Sequence, residues 1–297
     1  MTGWSSRHEG RANGVIWAGR GGFWAAIFLA LILPVSTQGL QAEESKDTAA
    51  KVLPLKGEEF KVAGRAAFVI PPTPLADDSA IPWVWYAPTL PGLPGPEEKW
   101  MFERFQAAGI AIAGIDVGES YGSPDGRALY TAFYEEMVHR RPYSHFPCLL
   151  MRSRGGLMLY NWAVEHPRSV VCIAGIYPVC NLISYPGLKQ ACGAYRFTEE
   201  QLAAQIEYHN PIDRLGPLAK ARVPIYHIHG DSDTVVPLDM NSGELARRYQ
   251  KLGGPITLKV VPGQGHTMWE GWFQDQDLVD FVIAHARVSG TSSFYEN

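Results

Sequence analysis

The run Pro147-Cys148-Leu149-Leu150-Met151-Arg152-Ser153-Arg154-Gly155-Gly156, continuing as Leu157-Met158-Leu159-Tyr160-Asn161-Trp162-Ala163, decides how the chain is read. Cys148 to Met151 is a short apolar stretch of buried-strand character. Gly155 to Glu165 has apolar residues at helical spacing and stops at His166-Pro167. A single serine stands between them, with an arginine on either side and two glycines just after. A sharp strand-to-helix turn needs residues without bulk, because the backbone approaches its neighbours closely and visits strained dihedrals. It lifts the serine side chain off the sheet and aims free helix N–H groups at whatever that side chain attacks. The run Met151-Arg152-Ser153-Arg154-Gly155 has the form of a G-x-S-x-G nucleophile elbow with methionine for its first glycine. An ordinary strand–turn–helix with a polar turn residue reads the same locally, so the rest of the chain has to separate the two.

Outward from this turn the chain alternates. Upstream, Glu59–Val62 and Ala66–Ile70 flank Gly64-Arg65 and predict an antiparallel hairpin. A strand follows at Trp83–Ala87, a helix at Glu97–Ala108, a buried strand at Ile110–Asp116 and a helix at Arg127–Arg140. Downstream come strands at Val170–Tyr177, Ile225–Ile228 and Ile256–Val261, with helices at Asn241–Leu252 and Gln274–Ala286. The expected fold class is α/β: a mostly parallel twisted sheet of about eight strands with helices on both faces. Residues from about 177 to 218 break the strand–helix rhythm and are expected to form a small inserted lid. In such sheets the ligand site lies at the carboxyl ends of the strands.

The chain has 297 residues, 46% of them hydrophobic, enough for a large core without a metal or disulfides. A net charge of −4 and the lack of a basic run argue against nucleic acid as a partner. Arg7, Arg11 and Arg20 precede an apolar run from Phe23 to Leu33, which is shorter than the roughly 20 residues a span needs. Residues 1–42 therefore read as an export signal, cleaved after Ala42 or Gly39, with a retained membrane anchor as the alternative. Residues 43–58 read as a disordered segment, and 59–297 as the globular domain. The membrane enters only through that signal, and the expected location is periplasmic or secreted. Of four cysteines, Cys148 and Cys172 read as core residues, while Cys180 and Cys192 bracket a loop and are expected to form a local disulfide. None has metal-site spacing, and no metal or cofactor is expected.

A serine hydroxyl near neutral pH needs a base to take its proton, and that base needs a partner that fixes its tautomer. His229-Gly230-Asp231-Ser232-Asp233-Thr234-Val235-Val236-Pro237 follows one strand, and Pro262-Gly263-Gln264-Gly265-His266 follows the last. With Ser…Asp…His each after a parallel strand, the chain from about Glu59 onward resembles the α/β-hydrolase superfamily, in its dienelactone hydrolase and prolyl-oligopeptidase-like esterase branch. The resemblance implies Ser153 as nucleophile, Asp233 as orienting acid and His266 as base. It also implies the Arg154 N–H as one oxyanion donor. A second donor would come from the loop after Trp83–Ala87, with Leu90 first and Thr89 second, since Pro88 and Pro91 have no N–H. Asp231 is the rival acid and otherwise braces its loop. His229, His227 and His166 read as packing or loop residues, and Asp116 and Glu119 as cleft or solvated loop residues.

Met151 must find space against a neighbouring strand. Ser153-Arg154 is similar to the Ser-Arg of glucuronoyl esterases, which implies an oxyanion or substrate contact for the Arg154 guanidinium; a salt bridge to Glu119 is the alternative. Trp83 and Trp85 read as core, whereas Trp269, Trp272 and Tyr177 are candidate substrate-binding rings, with Glu119 beside them. The reading is an exported serine hydrolase acting on small-molecule or carbohydrate esters, plant-derived ones among them, through an acyl-enzyme. A prolyl-oligopeptidase-like peptidase and a non-catalytic, glycan-binding scaffold stand as alternatives.

Overall fold

Most strand residues here are apolar on both sides of the chain rather than alternately, because helices cover both faces of the sheet they form. The computed structural model describes residues 51–73 and 80–289, all within the unit Ala49–Asn297. The expected export signal and the first part of the expected disordered segment lie outside the described residues.

Strands β1 (Glu58–Val62) and β2 (Arg65–Ile70) form the predicted hairpin. Its two central residues, Ala63 and Gly64, both sit at positive φ, 48° and 77°, as a tight type I′ turn requires. Then come β3 (Trp83–Ala87), α1 (Lys99–Ala107), β4 (Ala111–Ile115), α2 (Pro124–Glu135), β5 (Cys148–Arg152), α3 (Gly155–Ala163) and β6 (Cys172–Ile176). Three short helices follow, α4 (Leu188–Ala191), α5 (Glu199–Ala204) and α6 (Gly216–Lys220), and then β7 (Ile225–Gly230), α7 (Ser242–Lys251), β8 (Ile256–Val261) and α8 (Gln276–Ser289). The eight strands form one sheet in the order β1-β2-β4-β3-β5-β6-β7-β8. β2 is antiparallel to both its neighbours, and β4, β3, β5, β6, β7 and β8 run parallel.

Each face of the sheet has its own core. On one, Tyr130 and Phe133 of α2, Met158 and Trp162 of α3 and Leu245 and Tyr249 of α7 pack on Trp83, Trp85, Leu149 and Ile173. On the other, Met101, Phe102 and Phe105 of α1 and Leu278, Val279 and Val282 of α8 pack on Val84, Tyr86, Leu150 and Ala174. The segment between β6 and β7 carries α4 to α6, and with Tyr121, Leu157 and Val236 it builds a third, smaller apolar cluster.

Two expectations are corrected. Residues 51–57, assigned to the disordered segment, are tied down: Leu53 and Leu55 pack against the core, and Lys51 Nζ donates to the Leu90 and Leu93 carbonyls at 2.8 and 2.5 Å. Cys180 and Cys192 are not bridged. Cys180 is buried with its thiol on the Pro178 carbonyl, and Cys192 turns toward the Lys189 carbonyl. The helical turns at Leu188–Tyr195 set the two thiols on separate carbonyls.

The methionine in place of the elbow glycine is fully buried, and its strand neighbours explain how it fits. Met151 pairs with Ala87 on one side and with Gly175 on the other, the two smallest side chains available. The glycines that the turn does keep are needed for close approach. A Cβ on Gly155 would overlap the Ala87 carbonyl, and one on Gly156 the backbone of Val179. Gly155→Ala is therefore expected to cost about 1–3 kcal/mol in urea denaturation, the usual penalty for overpacking. Gly193→Ala, where the added methyl meets open space, is expected to stay within about 0.5 kcal/mol of the parent.

β7 also brings a fully buried imidazole into the core. Burial, and secondarily His229, pushes His227 down from 6.5 to about 3. Burial also lowers His166 and His209. In the unfolded chain these groups bind protons as pH falls below 6.5, while the folded chain resists. Stability is thus fully present above that value and lost on the way down to about 3, at up to about 1.4 kcal/mol per pH unit for His227 alone. Urea midpoints measured from pH 7 to pH 4 are expected to fall throughout, and a flat profile above pH 5 would contradict this burial.

Candidate active site

Ser153 stands at the carboxyl end of β5, where the backbone turns into α3 at a φ of 49°. A non-glycine residue there is strained, and the turn is held by its own backbone. The Ser153 N–H donates to the Ile176 carbonyl at 3.1 Å, and the Ser153 carbonyl accepts from Gly156 N at 2.9 Å and Val179 N at 2.8 Å. β5, β6 and the start of α3 thus fix one residue, and its hydroxyl points into a cleft of about 240 Å³.

The three residues named from the strand ends meet there. The Ser153 hydroxyl lies 2.9 Å from His266 Nε2, and His266 Nδ1 lies 2.7 Å from Asp233 Oδ2. A carboxylate can only accept, so Nδ1 carries the proton and Nε2 is free to receive the serine's. Asp233 is buried, and its other oxygen accepts from the Val235 and Val236 N–H groups at 3.0 and 2.8 Å. Burial alone would push its carboxyl up, but hydrogen bonds from His229, His266 and Val236 outweigh it and hold the group well below the usual carboxylate range. The acid stays charged wherever the protein is folded and near neutral pH. Asp231, the rival, instead braces the loop by accepting from Gly263 N at 2.7 Å.

The remaining candidates divide. Arg154 is the N-cap residue of α3, a position whose N–H has no carbonyl one turn earlier in the helix. Its guanidinium pairs with Glu119 at 2.9 Å, and both side chains are partly exposed. This is the salt-bridge alternative, and Glu119 acts through it rather than as a cleft wall. Tyr177 lines the cleft with its ring centroid 4.3 Å from that of His266, which sets the plane of the imidazole. Burial pushes its hydroxyl up to about 12, so it remains protonated. Trp272 is corrected from site to core: it is fully buried, edge-on to Tyr177 at 5.5 Å and to Trp269 at 5.2 Å. Trp269 is 40% exposed but outside the cleft wall. Thr89 and Leu90 are also outside it. The loop after β3 buries both side chains: the Thr89 hydroxyl donates to the Tyr86 carbonyl, and the Leu90 carbonyl is taken by Lys51 and Leu93, contacts that engage a hydroxyl and a carbonyl rather than the N–H groups expected as oxyanion donors. Pro88 and Leu93 face the cleft.

Sequence reasoning missed an ion pair beneath the nucleophile. Glu98 is 0% exposed, and Arg152 Nη1 donates to its Oε1 at 2.7 Å. Tyr86 and Gly95 N donate to the same carboxylate at 2.6 and 2.8 Å. Burial opposes the charge on Arg152, but Tyr86, Tyr177 and Glu98 around it more than restore it. Its second arm reaches Met268 Sδ, at the cleft edge, at 2.9 Å. The signal was present in Gly95-Pro96-Glu97-Glu98, whose proline-led turn folds the fourth residue back onto the first N–H. Among the described residues no group of three or more His, Cys, Asp or Glu side chains is disposed to hold a metal ion.

Residues 152–286 match the prolyl oligopeptidase family. Comparison with curated protein sequences finds no match. Among solved structures, the chain is similar to a puromycin-hydrolyzing peptidase of Mycobacterium tuberculosis, with 15% identity and a TM-score of 0.60 over 77% of this chain and 40% of that one. It is similar to Est1E from Butyrivibrio proteoclasticus, with 14% identity and a TM-score of 0.59 over 78% of this chain and 100% of that one. It is also similar to an S-formylglutathione hydrolase from Agrobacterium tumefaciens, with 13% identity and a TM-score of 0.58 over 78% and 93%. The chain thus spans 40% of the length of the Mycobacterium peptidase. At these identities the likeness is one of fold, and it agrees with the strand order. The chain therefore has the α/β-hydrolase fold, and its residues 152–286 match the prolyl oligopeptidase family.

Proposed function

We propose that the chain is an exported serine hydrolase that cleaves small carboxylic esters through an acyl-enzyme on Ser153. The observation that carries this is the unbroken series of hydrogen bonds from the Ser153 hydroxyl through His266 to a buried, charged Asp233. In the proposed reaction Ser153 Oγ attacks the carbonyl carbon as its proton passes to His266 Nε2. Asp233 steadies the imidazolium through Nδ1. The Arg154 N–H, at the N-terminus of α3, donates to the carbonyl oxygen as it gains charge. His266 then returns the proton to the leaving oxygen, and water repeats the sequence to free the acid.

The cleft supports a small substrate: 240 Å³ lies below the usual range for drug-sized ligands. Val235 and Met268 line it and are about half exposed, at 49% and 47%, which suits an apolar acyl or leaving group. The sugar-stacking platform expected from Trp269 and Trp272 is not part of this wall, so the proposal keeps the ester and drops the carbohydrate. The Arg-led apolar run Phe23–Leu33 supports export. No helix among the described residues is long and apolar enough to cross a membrane. A second reading, amide cleavage, is favoured by the prolyl oligopeptidase match over residues 152–286.

A fluorophosphonate probe is expected to label the parent and not Ser153→Ala, and Ser153→Ala is expected to lose about 10⁴-fold or more in kcat/KM on p-nitrophenyl esters. Turnover of short acyl esters exceeding that of aminoacyl-prolyl amides supports esterase action. The reverse order assigns the peptidase reading, and folded parent that takes no label leaves only a scaffold. For Arg154→Ala, the backbone donor survives and the lost guanidinium was held by Glu119, so kcat/KM on esters is expected to stay within about threefold of the parent. A loss beyond about 100-fold would put that guanidinium on the oxyanion instead.

A further inference from the structure

Behind Asp233, away from the cleft, four buried polar side chains form a line that the proposed chemistry does not use. His229 and His227, both on β7, and Ser242, the first residue of α7, are fully buried. Tyr160, on α3, is fully buried as well. His229 Nε2 lies 2.8 Å from the Val236 carbonyl and 3.3 Å from Asp233 Oδ2. His229 Nδ1 lies 2.8 Å from Ser242 Oγ, and the same oxygen lies 3.0 Å from His227 Nδ1. His227 Nε2 then meets the Tyr160 hydroxyl at 2.7 Å.

With neutral imidazoles every proton in this line has one address. The Val236 carbonyl can only accept, so His229 carries its proton on Nε2 and accepts from the Ser242 hydroxyl on Nδ1. Ser242 Oγ in turn accepts from His227 Nδ1–H, and His227 Nε2 accepts from the Tyr160 hydroxyl. All the bonds point toward Asp233. Burial keeps Tyr160 protonated and His227 neutral, the states this direction needs. The other titratable groups facing the line are Cys180 and Tyr249, beside Tyr160.

We propose that Tyr160, His227, Ser242 and His229 are positioning residues that hold the Asp233 loop in register with His266. His229 braces the loop twice, at the Val236 carbonyl and at the carboxylate, while the Val236 N–H grips the other Asp233 oxygen. The far end of the line is anchored on α3, which begins two residues after Ser153. Nucleophile and acid are therefore tied through the core as well as through the imidazole between them. A fully paired buried network has a single arrangement, since any other leaves a buried group without a partner. Removing one hydroxyl breaks that condition and loosens the carboxylate. This proposal rests on the triad reading for its effect on rate, but not for its effect on geometry.

The test uses the full chain with Tyr160→Phe, which removes one oxygen, and Ser242→Ala. It reads the downfield proton resonance of the His266–Asp233 hydrogen bond, which needs no substrate, and then ester hydrolysis. Both variants are expected to shift or broaden that resonance. Both are expected to lower kcat by roughly 3- to 30-fold with KM within about twofold. If Ser242→Ala does not fold, Tyr160→Phe decides alone. A resonance identical to the parent's overturns the proposal, and so does lost turnover with the resonance unmoved, since that assigns these residues to packing. Should the parent hydrolyse nothing, the catalytic reading fails while the resonance still reports on the relay.

Discussion

One constraint governs the site: the backbone of Ser153 is held at positive φ because three other segments need its amide and carbonyl where they are. Its N–H belongs to the edge of β6, and its carbonyl is shared by the second residue of α3 and by Val179 in the following insertion. Such a residue persists in strain only when its surroundings over-determine it. Here the over-determination comes from neighbours that are close because Gly155 and Gly156 have no side chains to keep them apart. The direction of the hydroxyl is a by-product of that packing.

The charges around the serine follow a similar logic. Two arginines flank it in sequence, and an unpaired cation in a half-buried cleft would be costly. Each is matched by a carboxylate from a different part of the chain, Glu98 for Arg152 and Glu119 for Arg154. The pairs differ in depth. Glu98 is wholly buried and has every oxygen occupied, so breaking that pair would strand a charge in the core. Glu119 and Arg154 are near the surface, where water screens them and the pair contributes little. The first pair is architecture; the second is a surface pair.

This difference in depth also explains what the sequence could reveal. Strand and helix periods are local, so the alternation from the hairpin to α8 was legible, as were the three side chains that follow strand ends. Long-range partnerships were not. Nothing near Glu98 points to Arg152, fifty-four positions on, because the contact depends on how the turn before α1 meets the end of β5 in the folded chain. The support of the loop after β3 was hidden for a related reason. Lys51, from a segment read as disordered, holds that loop from outside through the Leu90 and Leu93 carbonyls. Trp272 was placed at the site by its closeness in sequence to His266, whereas its bulk is used between Tyr177 and the core. Cys180 and Cys192 had a sensible spacing and no reason in three dimensions to meet.

The missing elbow glycine fits the same picture. Met151, Gly175 and His227 stand in one row across β5, β6 and β7. At the middle position a side chain would strike the His227 imidazole. Leaving it empty lets that imidazole cross the sheet face to Tyr160 of α3, and the same gap lies beside Met151. The space that G-x-S-x-G ordinarily leaves within the nucleophile strand has moved one strand over. There it serves two purposes: it accommodates a large apolar residue under the turn, and it opens the path by which a polar line from α3 reaches the acid loop. A glycine at 151 with a larger residue at 175 would restore the motif and close that path. The departure from the motif and the buried line behind Asp233 are thus two consequences of one absent side chain.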